Sequence, residues 1–167
     1  VTLLLQNMIE AYPHAHVVLL DPHNEYPKAF GDLAELVDPT TMDIPHWLLN
    51  FEETIELFVG RSDGPAPLSE SNVVKDALLH ARRAVTQRQT DKATITVDTP
   101  MPYKLGDLIR HIELAKSRVV GDEQDPFDHV LNKIETLKND TRFRFLLKED
   151  HAVHDTLVDM LSQYLRI

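Results

Sequence analysis

The segment Asp21-Pro22-His23-Asn24-Glu25-Tyr26 gathers two carboxylates, an imidazole, a carboxamide and a phenol within six residues. Carboxylates held on one loop can hold magnesium-bound water or orient a water for attack, chemistry that works by positioning and charge. Asp21 and Glu25 are the candidates for it. An Asp before Pro has a second common use, in which its side chain caps the turn that follows. His23 can hydrogen-bond an anion or brace the loop. Elsewhere, His151-x-x-His154 sets two imidazoles one helical turn apart, a spacing able to bind zinc. Glu149, Asp150 and Asp155 flank it, but the chain has no cysteine and nothing specifies a third ligand. Polar residues at a helix start are the simpler reading there, and no metal site is expected. No nucleophile elbow, Gly-rich dinucleotide fingerprint or EF-hand loop occurs.

The Asp21–Tyr26 loop needs elements to hold it. Val17 to Leu20 is an unbroken apolar run that stops at Asp21-Pro22. Such a run predicts a strand buried on both faces, as in a parallel sheet. Pro22 cannot donate to a sheet ladder, so the strand ends there. Asp21 then stands at the carboxyl end of the strand, the edge where open α/β sheets bind ligands. Residues 1–11 read as a short, very apolar helix that suits burial against a sheet. Tyr12-Pro13-His14 breaks it. No N-cap residue precedes the helix, residue 1 is Val rather than Met, and Leu161 to Ile167 carry no stop signal. Both ends read as cut, which predicts a piece of a longer protein.

DPHNEY resembles the DPHGEY motif of the HerA-like nucleoside-triphosphatases, in the FtsK–HerA superfamily of DNA-pumping motors. Asn24 stands where that family usually has Gly, and Asn is the residue that best tolerates positive φ after glycine. Asp43-Ile44-Pro45-His46-Trp47-Leu48-Leu49-Asn50-Phe51 resembles the IPYWLLNFEE stretch that follows DPHGEY. Asp98-Thr99-Pro100-Met101-Pro102-Tyr103 resembles the family's DTPxPY segment, and Arg142 to Phe145 its RFRF segment. A P-loop protein runs strand, GxxxxGK[ST], helix, strand. Here the last two are predicted, and no GxxxxGK[ST] occurs.

The resemblance implies an α/β fragment of a P-loop (RecA-like) NTPase core over residues 1–42 and a mainly α-helical insertion over 43–167. It places Val1 and Thr2 directly behind a GKS phosphate loop, so Val1, Thr2, His23 and Asn24 would lie near the nucleotide, with Glu25 and Asp21 catalytic. It implies ATP and Mg2+ as cofactors of the intact protein, with none expected for this stretch alone. It implies a homo-hexameric, cytoplasmic, ATP-driven translocase of double-stranded DNA, linked to a nuclease in DNA-end processing or to phage defence. A strand carrying the Walker B acid is also missing from these residues, so the stretch alone is not expected to hydrolyse ATP. The alternative is a non-enzymatic helical protein-interaction module whose apolar faces bind a partner.

The rest of the chain reads as helices with short extended pieces. Ala34–Val37 is a possible second strand, closed by Asp38-Pro39. Trp47, the only tryptophan, is expected to anchor a core. Helices are predicted over 52–59 and 69–89, the second with a stripe of Val74, Leu78, Ala81 and Val85. Arg82, Arg83 and Arg88 at its end are read as a solvated, dipole-favoured terminus. Ala93–Val97 alternates as a strand does. Helices follow over 105–120 and 125–139, the second started by Asp125-Pro126. A last one begins near Val153.

The 167 residues allow one domain with a sizeable core. Hydrophobic content of 43% and charged content of 26% are those of an ordinary globular protein. A net charge of −10 does not offer a phosphate-binding surface, so this stretch is not expected to be the part that grips DNA. No apolar run approaches the roughly 18 residues of a membrane span, and no signal peptide is evident.

Overall fold

The computed structural model describes residues 1–38, 44–60, 67–86, 92–148 and 162. Its α-helices are α1 (Thr2–Ala11), α2 (Pro27–Phe30), α3 (Phe51–Phe58), α4 (Leu68–Val85), α5 (Leu105–Lys116) and α6 (Asp125–Asn139). Short 3-10 turns lie at Gly31–Leu33, His46–Leu48, Gly121–Gln124 and Thr141–Phe143.

The helical body forms where apolar residues recur with helical period. In α4, Val74, Ala77, Leu78 and Ala81 are buried, the i, i+3, i+4, i+7 stripe of a core-facing helix. Leu105, Leu108 and Ile112 do the same in α5, and Val130, Ile134 and Leu137 in α6. The three helices pack on one another, and α3 lays Phe58 on α4. Trp47 and Tyr103 fill the same core, so the tryptophan is the anchor its size predicts. Helix α3 begins in a capping box. The Asn50 side chain accepts from the amide of Glu53, whose carboxylate accepts from the amide of Asn50, both at 2.9 Å. Asp98 Oδ1 accepts from the amide of Phe51 at 2.8 Å, satisfying another orphan donor at that helix start. The 3-10 turn Gly121–Gln124 runs into α6, so Gln124 rather than Asp125 is its N-cap residue.

The expected α/β core is not there: among the described residues no β-strand forms. Residues 15–20 are irregular and exposed, with Val18 at 72% and Leu20 at 85%, where a strand buried on both faces would show almost no exposure. A strand exists only when a neighbour's amides and carbonyls lie alongside it, and no described segment pairs with this one. Ala34–Val37 is likewise irregular and mostly exposed. Helix α1 forms as expected but has no buried residue and no sheet to lie on. It packs on α2, to which Gln6 Nε2 donates at the carbonyl of Ala29, 2.7 Å away.

Two further expectations fail together, for one reason. Ala93–Val97 is not a strand, and Arg82 is not solvated. Arg82 has no exposed surface. Its guanidinium donates to the carbonyls of Leu49 at 2.8 Å, Trp47 at 3.4 Å and Val97. Arg83 donates to the carbonyl of Ile95 at 3.4 Å. Arginine side chains, not a neighbouring strand, satisfy the carbonyls of Ile95 and Val97, and the amide of Thr99 that of Thr96. Thr96 and Thr99 then close a turn through a bond from the Thr96 amide to Thr99 Oγ1 at 2.9 Å. Helix α4 ends at Val85, with Thr86 extended, and Arg88 lies outside the described residues, as does the helix expected from Val153.

No helix among the described residues is long and apolar enough to cross a membrane.

Candidate functional site

The Asp21–Tyr26 loop is built by its first residue. The amide of Asn24 donates to the carbonyl of Asp21 at 3.3 Å, closing a turn over Pro22 and His23. Asn24 takes φ 56°, the left-handed conformation that glycine or asparagine adopts most readily. Asp21 Oδ1 accepts from the amide of Glu25 at 3.1 Å, and Oδ2 from the amide of Tyr26 at 2.9 Å. Both carboxylate oxygens are thus bound to the loop's own backbone. The amide of Tyr26 is the main cause that holds the Asp21 carboxyl below its ordinary value, opposed by its partial removal from water and aided by the amides of Glu25, His23 and Asn24. Pro27 then starts α2, its fixed φ suited to a first helical turn. Tyr26 and Phe30 set their rings 6.3 Å apart, and Phe30 is buried.

The loop therefore separates its two acids. Asp21 shapes the turn, as an Asp before Pro commonly does. Glu25 points its charge outward: it is exposed, and its carboxylate makes no hydrogen bond or ion pair among the described residues. His23 and Asn24 are exposed beside it. Val1 precedes α1 as its N-cap residue and Thr2 opens the helix. No hydrogen bond or ion pair among the described residues joins either of them to the loop. The HxxH pair at 151 and 154 lies outside the described residues.

Residues 1–166 match the family model DUF87, described as Helicase HerA, central domain. The chain belongs to that HerA family. No curated protein matches the chain significantly. The HerA membership agrees with the reading of DPHNEY, while the described backbone of this HerA-family chain carries no sheet.

Sequence reasoning missed three arrangements in this HerA-family chain. Arg82 follows Val74 and Leu78 at i+4 steps, so its place on the buried stripe was available as a signal. His80 and His111 stack their rings 3.9 Å apart and 19° from parallel across α4 and α5, a pairing that no local pattern announces. His46 shares its hydrogen with the carbonyl of Tyr103 at 3.0 Å, 57 residues away in sequence.

Proposed function

We propose that this chain works within an ATP-driven DNA translocase of HerA type, with Glu25 as the acid that orients water or magnesium-bound water at the nucleotide. The observation that carries it is the division of labour in the loop: Asp21 is bound to the backbone, and Glu25 is left exposed and unpaired. Family membership supplies the ATPase context. Asp21 acts as a positioning residue, fixing the turn that presents Glu25. His23 and Asn24 border the same face, and Val1 and Thr2 are assigned to the nucleotide side of α1.

ATP and Mg2+ are the cofactors of this reading, and phosphoryl transfer depends on a metal ion that neutralises charge on the phosphates. The residues present fit only part of that need. An exposed carboxylate on a fixed loop suits water orientation, whereas the chain contains no GxxxxGK[ST] stretch to cradle phosphates. Glu25 and His23 would face the nucleotide, and the cradle would come from elsewhere. The chain alone is accordingly proposed to be inactive. Double-stranded DNA, a nuclease partner, a homo-hexameric state and a cytoplasmic place belong to the same proposal. The net charge of −10 supports assigning the DNA grip to other parts of the motor.

The test is Glu25→Gln in the intact motor, which keeps size and hydrogen bonding but removes charge. Nucleotide affinity should persist while steady-state ATP turnover falls by about 10²-fold or more, the scale of a lost general base. Unchanged turnover at saturating ATP overturns the role given to Glu25.

A further inference from the structure

Helix α2 is a single turn, Pro27–Phe30, set directly behind the Asp21–Tyr26 loop. A helix that short does not stand on its own propensity, since isolated helices under about 12–15 residues are marginal in water. It needs a partner outside itself. The half-buried Gln6 of α1 is one, its Nε2 donating to the carbonyl of Ala29 at 2.7 Å. That carbonyl lies at the C-terminal end of α2, where helix carbonyls have no intrahelical partner. The amide of Ala29 in turn donates to the carbonyl of Tyr26 at 2.9 Å. The amide of Tyr26 donates to Asp21 Oδ2 at 2.9 Å, one of the two bonds that build the loop. Three hydrogen bonds thus run in series from Gln6 to the carboxylate of Asp21. Glu25 sits inside the turn they close, its own amide bound to Asp21 Oδ1 at 3.1 Å.

We infer that Gln6 is a positioning residue that holds the Glu25 loop against α1. The bonds within the exposed loop fix its shape but not its place, and both are needed to aim a carboxylate. Asp21 supplies the shape and Gln6 the place. Val1 and Thr2 stand at the start of the helix that carries Gln6. The link therefore makes one unit of the residues assigned to the nucleotide side and the acid assigned to the water. Catalysis depends on such placement, because a misplacement of about 1 Å can cost about 10²-fold in rate. A carboxamide suits the position because it donates, whereas a carboxylate there would meet the Ala29 carbonyl with a second acceptor. The bearing on catalysis rests on the role proposed for Glu25; the hold on the loop does not.

Gln6→Met keeps an unbranched side chain of similar length and removes the donor, and Gln6→Lys restores one. Asn7→Met, at an exposed position of the same helix, is the control. NMR of the full 167-residue chain reads the loop, and steady-state ATP turnover of the intact motor reads the consequence. Gln6→Met should shift the amides of Glu25, Tyr26 and Phe30 and move the carboxyl midpoint of Asp21 up toward 3.8. It should lower kcat by about tenfold with KM for ATP within about twofold, the pattern of a group that serves the transition state rather than binding. Gln6→Lys should recover most of both, and Asn7→Met should match the parent. Loop signals of Gln6→Met that match the parent overturn the inference. So does a Gln6→Lys variant no better than Gln6→Met, or an equal effect of Asn7→Met. Unchanged kcat in Gln6→Met overturns it as well where Glu25→Gln lowers turnover. If Glu25→Gln leaves turnover unchanged, the catalytic role of Glu25 has failed, and the loop signals alone decide for or against Gln6.

Discussion

Replacing Arg82 with Met should destabilise the helical body more than its place at the end of an amphipathic helix suggests. The side chain has no exposed surface, and its guanidinium serves the carbonyls of Leu49, Trp47 and Val97. It also sits 5.9 Å from the ring centre of the buried Tyr103, within cation–π range. Met keeps much of the aliphatic volume and removes every donor. The Trp47 bond, at 3.4 Å, is weak and carries little. That leaves two part-buried acceptors without partners, at about 1–3 kcal/mol each if water does not reach them, or roughly 2–6 kcal/mol together. Removing the charge returns part of this, because burying a guanidinium is itself costly. A net loss of about 3 kcal/mol is expected. For a chain of this size, at 2–4 °C per kcal/mol, the melting temperature should fall by about 6–12 °C. Thermal and urea unfolding followed by circular dichroism measure it. Arg82→Lys should fall between the two, since an ammonium lacks the planar fork that reaches several carbonyls at once. A Met variant within about 0.5 kcal/mol of the parent, the range of an ordinary surface change, would refute the view that Arg82 holds these loops to α4.

Other expectations follow from the same packing. Ile112, wholly buried between α4 and α6, should cost about 2–5 kcal/mol when cut to Ala, read from urea unfolding. The Asp21 carboxyl is held below its ordinary value of 3.8, so the stability it lends is complete above that pH and is lost as pH falls through the lower folded value. An NMR titration should show the carboxyl carbon of Asp21 and the amides of Glu25 and Tyr26 moving together with a midpoint below 3.8. A midpoint at or above that value would contradict the hydrogen bonding of the loop. His111 is also held below its ordinary value of 6.5, by burial and then by the charges of His80 and Arg118 against the pull of Asp76. Its contribution is therefore present above pH 6.5 and is lost as pH falls through the lower folded value. The melting temperature of the parent should drop across that window, and His111→Gln should flatten the drop.

Much of the helical body was legible from residue order. The helices expected over 52–59, 69–89, 105–120 and 125–139 formed as 51–58, 68–85, 105–116 and 125–139. Trp47 read correctly as a core anchor, and DPHNEY read correctly as a family mark. The turn chemistry of that loop was legible too. Asp before Pro and Asn in the left-handed position describe local geometry, settled within six residues.

What failed were the elements that depend on a distant partner. Val17–Leu20, Ala34–Val37 and Ala93–Val97 carry the composition of strands, yet none became one among the described residues. A helix satisfies its backbone four residues away, within its own segment. A strand satisfies its backbone only on another segment, so composition proposes it and tertiary structure disposes of it. The same divide explains Arg82. Its charge predicts solvent, but its position on the α4 stripe carries it inward to carbonyls contributed by Leu49 and Val97. Likewise, only the crossing of α4 and α5 brings His80 onto His111, and only the packing of α1 on α2 brings Gln6 to the carbonyl of Ala29. Local periodicity determined which stretches are helices; the non-local hydrogen bonds and packing of this chain decided which polar groups were buried, paired or left free.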